Sequence, residues 1–204
     1  MEKLKHSYKT ILKPSNEILY KEKKSKFYGY AFPIQTEDEV KTIIAEIKKN
    51  HPSANHVCYA WQLGINDIRY RANDDGEPNN SAGMPIYGQI LSFELTNILI
   101  AIARIFGGTK LGVGGLISAY RETAKITIQE SKIIEKKVKC IYKVEFDYSE
   151  INLVMGLIKK LRLNITSQKM EIRCEIITSF EKRNENFVLE HFAPYHKIQF
   201  SKLN

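Results

Sequence analysis

Between residues 104 and 121 the chain reads Arg-Ile-Phe-Gly-Gly-Thr-Lys-Leu-Gly-Val-Gly-Gly-Leu-Ile-Ser-Ala-Tyr-Arg, placing five of its eleven glycines and three basic side chains in one stretch. Glycine loses more backbone freedom on folding than any other residue, so a cluster marks a tight turn or a backbone that must approach something closely. If a helix opens at Gly112 or Gly114, its free N–H groups face outward at the N-terminus, where the helix dipole favours negative charge. Gly107, Gly108, Lys110, Gly112, Gly114 and Gly115, flanked by Arg104 and Arg121, then form an anion or nucleic-acid site. The stretch is not a Walker A loop, because Gly-x-x-x-x-Gly-Lys-Ser/Thr is absent, nor is it Gly-x-Gly-x-x-Gly. The same glycines also suit a plain strand-to-helix connection in which they serve packing alone.

A second group of chemistry-bearing residues is acidic. Asp74, Asp75 and Glu77 stand in one short segment, Asn73 to Asn80. Their oxygens could ligate a divalent cation or hold a partner's basic groups, although the spacing is not that of an EF-hand. A solvated acidic turn has the same composition, with Asp75-Gly76 as the turn dipeptide. If this loop neighbours the glycine segment, Lys110 is expected to pair with Asp74 or Asp75. His56 and Cys58 lie two apart on a strand pattern and so share a face, as a Cys-His nucleophile pair or as an ordinary half-buried strand. Tyr59, with Tyr28, Tyr30 and Trp61, offers aromatic surface that could stack bases; on strands such residues also build cores.

The elements that carry these residues follow from periodicity. Alternation predicts strands over 17–21 and 25–32. Val40, Ile43, Ile44 and Ile47 predict a helix over 37–50, with Thr36 as N-cap and Glu39 completing a capping box. Strands over 55–63 and 68–72 enclose a turn at 64–67, and Ser81 is placed to cap a helix running to about residue 94. A buried strand over 97–105 leads into the glycine segment and the helix beyond it. After about Thr127 the pattern restarts. Strands 138–147, 165–171, 172–180 and 196–200, with helices 149–163 and 181–192, give the order βαββαβ of a ferredoxin-like domain. Met155, with Ile151, Val154 and Ile158, puts one apolar face on the first of these helices. The expected division is an N-terminal domain over 1–129, a charged linker over 130–137, and a C-terminal domain over 138–204.

Composition sets the outer limits. The 204 residues are 43% hydrophobic and 26% charged, as in a soluble globular protein of one large or two small domains. The net charge of +8 eases approach to a polyanion. Neither half owns that excess: 17 basic against 13 acidic residues stand up to position 125, and 14 against 10 beyond it. The basic N-terminus precedes no long apolar region and the run Ile98 to Ala103 is too short to span a bilayer, so a cytoplasmic protein without membrane contact is expected. Cys58, Cys140 and Cys174 form no Cys-x-x-Cys pair, which argues for reduced thiols rather than disulfides or structural zinc. No metal or cofactor motif is present.

Three blocks, taken together and in order, resemble the YigZ/IMPACT family in its bacterial two-domain branch. They are Ala54-Asn-His-Val-Cys-Tyr-Ala60, then Asn73-Asp-Asp-Gly-Glu-Pro78 with Ala82-Gly-Met-Pro85, then Arg104-x-Phe-Gly-Gly-Thr-Lys-Leu-Gly-x-Gly-Gly-Leu116 with Ala119-Tyr120. The resemblance covers residues 16–125 closely. It implies an α+β protein whose N-terminal α/β domain is like one in a small-subunit ribosomal protein, and whose ferredoxin-like C-terminal domain is similar to one of elongation factor G. It also implies a translation-linked role with RNA or ribosome binding. The sequence departs from the family pattern at Asn79-Asn80, commonly Ser-Gly, at Ile105, usually aromatic, and at Ser118, usually basic. Three functions follow: a translation-linked regulator binding RNA or the ribosome through the glycine-rich basic segment; an enzyme on a small phosphorylated or acidic substrate, using the acidic loop; or a protein-interaction module. The first is preferred, since no complete catalytic constellation can be named.

Overall fold

In the computed structural model, residues 6–203 are described; the reading of the first five residues as no export signal lies outside them. The chain forms β1 (Ser7–Ile11), β2 (Ile18–Glu22), β3 (Ser25–Pro33), α1 (Glu37–Asn50), β4 (His56–Leu63), β5 (Arg69–Asn73), α2 (Gly83–Ser92), β6 (Ile98–Ile105) and α3 (Gly112–Gln129). There follow β7 (Ile133–Lys137), β8 (Lys139–Asp147), α4 (Ile151–Lys160), β9 (Asn164–Lys169), β10 (Arg173–Glu181), α5 (Glu185–Phe192) and β11 (Gln199–Leu203). Two compact units divide the chain, one over 8–136 and one over 137–203 with residues 6–7.

The larger unit is built on an antiparallel five-stranded sheet in the order β2-β3-β6-β4-β5. β6 is central, with both faces covered, which is why its sequence is an unbroken apolar run rather than an alternation. Its even-numbered residues Ile98, Ile100 and Ile102 pack with Ile86, Ile90, Leu116, Tyr120 and Ala124 from α2 and α3. The odd-numbered Leu99, Ala101 and Ala103 face the other way, where Val40, Ile43, Ile44 and Ile47 of α1 cover them. The capping box at Thr36 and Glu39 is present as expected. Tyr28, Tyr30, Tyr59 and Trp61 also lie on the α1 side, as part of that packing. Trp61 is therefore core, whereas Tyr28, Tyr30 and Tyr59 are half-buried at the edge of that packing.

The smaller unit is a four-stranded antiparallel sheet in the order β11-β8-β10-β9, with α4 and α5 packed over one face. Read as βαββαβ, the spatial order 4-1-3-2 is the ferredoxin-like arrangement. Several features depart from the expected elements, among them the last strand, which lies at Gln199–Leu203 and not over 196–200. The charged segment 130–137, expected as a linker, carries strand β7, which pairs with the unforeseen β1 in a two-stranded sheet. Helices α4 and α5 each begin later than expected, after a short 3-10 turn.

Candidate functional site

The acidic loop is held by contacts within itself and by three separate sets of donors, one for each carboxylate. The side-chain oxygen of Asn73 accepts a hydrogen bond from Asp75 N at 2.7 Å, and Asp75 and Gly76 turn with φ of 42° and 92°. Asp74 Oδ1 accepts from Ala82 N at 2.9 Å and Gly83 N at 2.8 Å, and its Oδ2 accepts from Asn80 N at 2.9 Å. A carboxylate from outside the helix thus caps α2. The expected cap, Ser81, is buried with its hydroxyl oxygen unpartnered. Asp75 accepts from Val57 N at 2.7 Å and pairs with Lys48 at 2.9 Å. Glu77 turns inward. Its Oε1 accepts from Arg104 Nη1 at 2.6 Å and from Tyr120 Oη at 2.8 Å.

The acidic and glycine-rich loops are therefore neighbours, but not through the pairing expected of them. Lys110 does not pair with Asp74 or Asp75; the ion pair is Arg104–Glu77, with side chains only 7% and 4% exposed. The three carboxylates point to three separate sets of protein donors, and among the described residues no group of His, Cys, Asp and Glu is arranged to hold a metal ion. A shared cation between Asp74, Asp75 and Glu77 does not fit this geometry.

His56 and Cys58 share the α2/α3 side of β4, yet they do not act on one another. His56 Nδ1 lies 2.7 Å from the Asp75 carbonyl oxygen; a carbonyl only accepts, so Nδ1 carries a hydrogen and donates it there. Cys58 Sγ lies 3.0 Å from the Asp74 carbonyl oxygen and 3.3 Å from Tyr120 Oη. Burial, reinforced by the nearby carboxylates, pushes this thiol far above its usual range. Cys58 should accordingly be inert. With iodoacetamide at pH 8, mass spectrometry should find it unmodified in the native protein and fully alkylated in urea; rapid native labelling would show an activated thiol.

The five glycines prove to have different tasks. Gly107 lies against the Lys24–Ser25 backbone, where a Cβ would come within 2.0 Å of Lys24 C. Gly108 and Gly112 have positive φ, at 84° and 73°. A Cβ on Gly115 would meet Leu111, whereas beyond Gly114 nothing lies within 4 Å. The start of α3 has no side-chain cap and no acidic residue in its first turn. Gly114, Ser118 and Arg121 are spaced to share one exposed stripe of that helix. Arg121 stays out of the group around Arg104, and Tyr59 lies across the sheet.

What the structure gathers is a cleft of about 450 Å³ between the start of β4, the Glu77–Pro78 step, the end of β6 and the first turn of α3. His56, Glu77, Arg104, Phe106 and Lys110 all line it. Arg104 is flanked by aromatic rings, 5.5 Å from the centroid of Phe27 and 5.7 Å from that of Phe106. Asn55 holds the wall in place, accepting from Phe106 N at 2.9 Å. Taken singly, Asn55, Phe106 and Tyr120 carry no functional signal in the sequence. The available signal was their place inside the three blocks, since all three fall there.

Fold and cleft together define a two-unit α+β protein whose larger unit carries a basic cleft at a strand-to-helix junction. Residues 23–128, which supply the cleft, match the Impact N-terminal domain. The chain is 32% identical to the IMPACT family member YvyE of Bacillus subtilis (strain 168), over 89% of its own length and 83% of the relative's. It is also 32% identical to an IMPACT family member of Haemophilus influenzae, over 88% and 89%. This protein belongs to the IMPACT family. A solved structure entitled "Crystal structure of an hypothetical protein" shares the fold, with a TM-score of 0.76 at 21% identity over 98% of this chain and 99% of that one. Among the described residues no helix is long and apolar enough to cross a membrane.

Proposed function

We propose that this protein binds RNA, free or within the ribosome, through the glycine-rich junction, and serves a translation-linked regulatory role. The carrying observation is the open start of α3, without side-chain cap or first-turn acid, next to exposed Lys110. Such a helix end attracts phosphate by its oriented N–H groups and dipole. Arg121 extends the same positive surface along the exposed stripe, and the net charge of +8 favours encounter with a polyanion. The translation link comes from the family resemblance alone.

The test is fluorescence anisotropy of a labelled structured RNA over a salt series. Affinity should fall linearly with salt on logarithmic axes, and Lys110→Ala/Arg121→Ala should reduce the slope by about 2, one for each phosphate no longer neutralised. Absence of binding at low salt, or a double variant with an unchanged slope, would refute this reading. An enzyme using the acidic loop is less well supported, because Asp74, Asp75 and Glu77 are each already engaged by protein donors.

A further inference from the structure

We propose that the cleft beside α3 is a site for a nucleotide bearing a terminal phosphomonoester, supplied as a free mononucleotide or as the phosphorylated end of an RNA strand. This inference rests on the RNA-binding reading for the choice of a nucleotide over other phosphorylated molecules. It names the part of the nucleic acid that the cleft takes.

The polar end of the cleft is unfinished. Arg104 is more than nine-tenths buried, yet its guanidinium makes one hydrogen bond, to Glu77, and its Nε has no partner. A guanidinium carries five N–H donors and buried donors are ordinarily satisfied, so the group is set up to receive a further acceptor. Glu77 balances the charge of Arg104, while Lys110 and the uncapped end of α3 supply positive potential with no acid of their own. A phosphomonoester, with nearly two negative charges and three free oxygens, satisfies this set better than a carboxylate.

The other end is apolar. Phe106 lies on the wall with 43% of its surface exposed, next to Leu111 and Val113. An exposed aromatic ring beside an arginine is a platform on which a base stacks. The volume, about 450 Å³, falls within the usual range for small-ligand sites of about 300–1,000 Å³. The floor, Arg104 with Glu77, is buried, so a strand enters by its end and not by a mid-chain phosphodiester.

The experiment has two arms. Calorimetry titrates the full chain with AMP, GMP, CMP, UMP and inorganic phosphate. Anisotropy compares one RNA oligomer carrying a 5′-phosphate, a 3′-phosphate or hydroxyl ends. We expect at least one phosphorylated form to bind about tenfold or more tightly than the hydroxyl-ended strand, the worth of one or two charge-assisted hydrogen bonds. That preference should vanish in Gly114→Asp. This change adds a carboxylate at the helix start where no neighbour is displaced, and it favours the helix itself, so the variant stays folded. Phe106→Ala should weaken nucleotides more than inorganic phosphate, since the ring serves the base as well as flanking Arg104. Equal affinity for all three strand ends with no mononucleotide binding overturns the inference and leaves RNA binding standing. Mononucleotide binding without RNA binding does the reverse, and inorganic phosphate binding as tightly as any nucleotide overturns the assignment to nucleotides.

Discussion

Arg104→Ala should lower the stability of the larger unit by about 3–5 kcal/mol, the usual consequence of leaving one partner of a buried ion pair uncompensated. Among the described residues Arg104 is the one cation that forms an ion pair with the inward-turned Glu77 carboxylate, and Tyr120 alone cannot offset that charge. The substitution also removes the cation from between the rings of Phe27 and Phe106. Urea unfolding followed by fluorescence reads this unit directly, because Trp61, the one tryptophan of the chain, is buried in it. Adding Glu77→Gln to Arg104→Met should restore most of the loss, since replacing both charges removes the uncompensated one. A cost below about 1 kcal/mol for Arg104→Ala would mean that the pair behaves like an exposed one.

The second large effect separates two glycines of one motif. Gly107→Ala should destabilise by about 3 kcal/mol, at the upper end of overpacking costs. The added carbon would sit 2.0 Å and 2.3 Å from the Lys24 carbonyl carbon and oxygen and 2.3 Å from Ser25 N, and backbone atoms cannot swing aside as side-chain ends can. The hydrogen bond that Gly107 N donates to Ser25 Oγ, at 3.2 Å, is strained with it. Gly114→Ala, seven residues on, should instead stabilise the protein by about 0.5–1 kcal/mol, because alanine is the better helix former and nothing lies in its way. Opposite signs in parallel melts confirm the division of labour. Equal signs refute it.

Much of this was legible in the sequence, for reasons that can be named. Helix α1 announced itself because its cap, Thr36 with Glu39, and its apolar face are both written within one turn or a few. Strand β6 was legible because a doubly covered strand needs an unbroken apolar run. The ferredoxin-like unit followed from six elements in the right order. By contrast β1 and β7 were missed. Each is only five residues long with weak alternation, and what makes it a strand is the other, more than a hundred residues away.

The sequence by itself determined the α+β class, the apolar run of β6 and the apolar face of α1, and the three residue blocks that place this chain in its family. Only the tertiary structure decided how the blocks combine. It brought Glu77 to Arg104 and left Lys110 out, gave the cap of α2 to Asp74 instead of Ser81, and put Tyr59 on the far side of the sheet. It also sorted five similar glycines into packing, turning and open positions. The physical reason is range. Periodicity and capping are satisfied by atoms a few residues apart and leave a local trace, whereas an ion pair across 27 positions, or a glycine pressed against backbone 83 positions earlier, depends on which strands become neighbours.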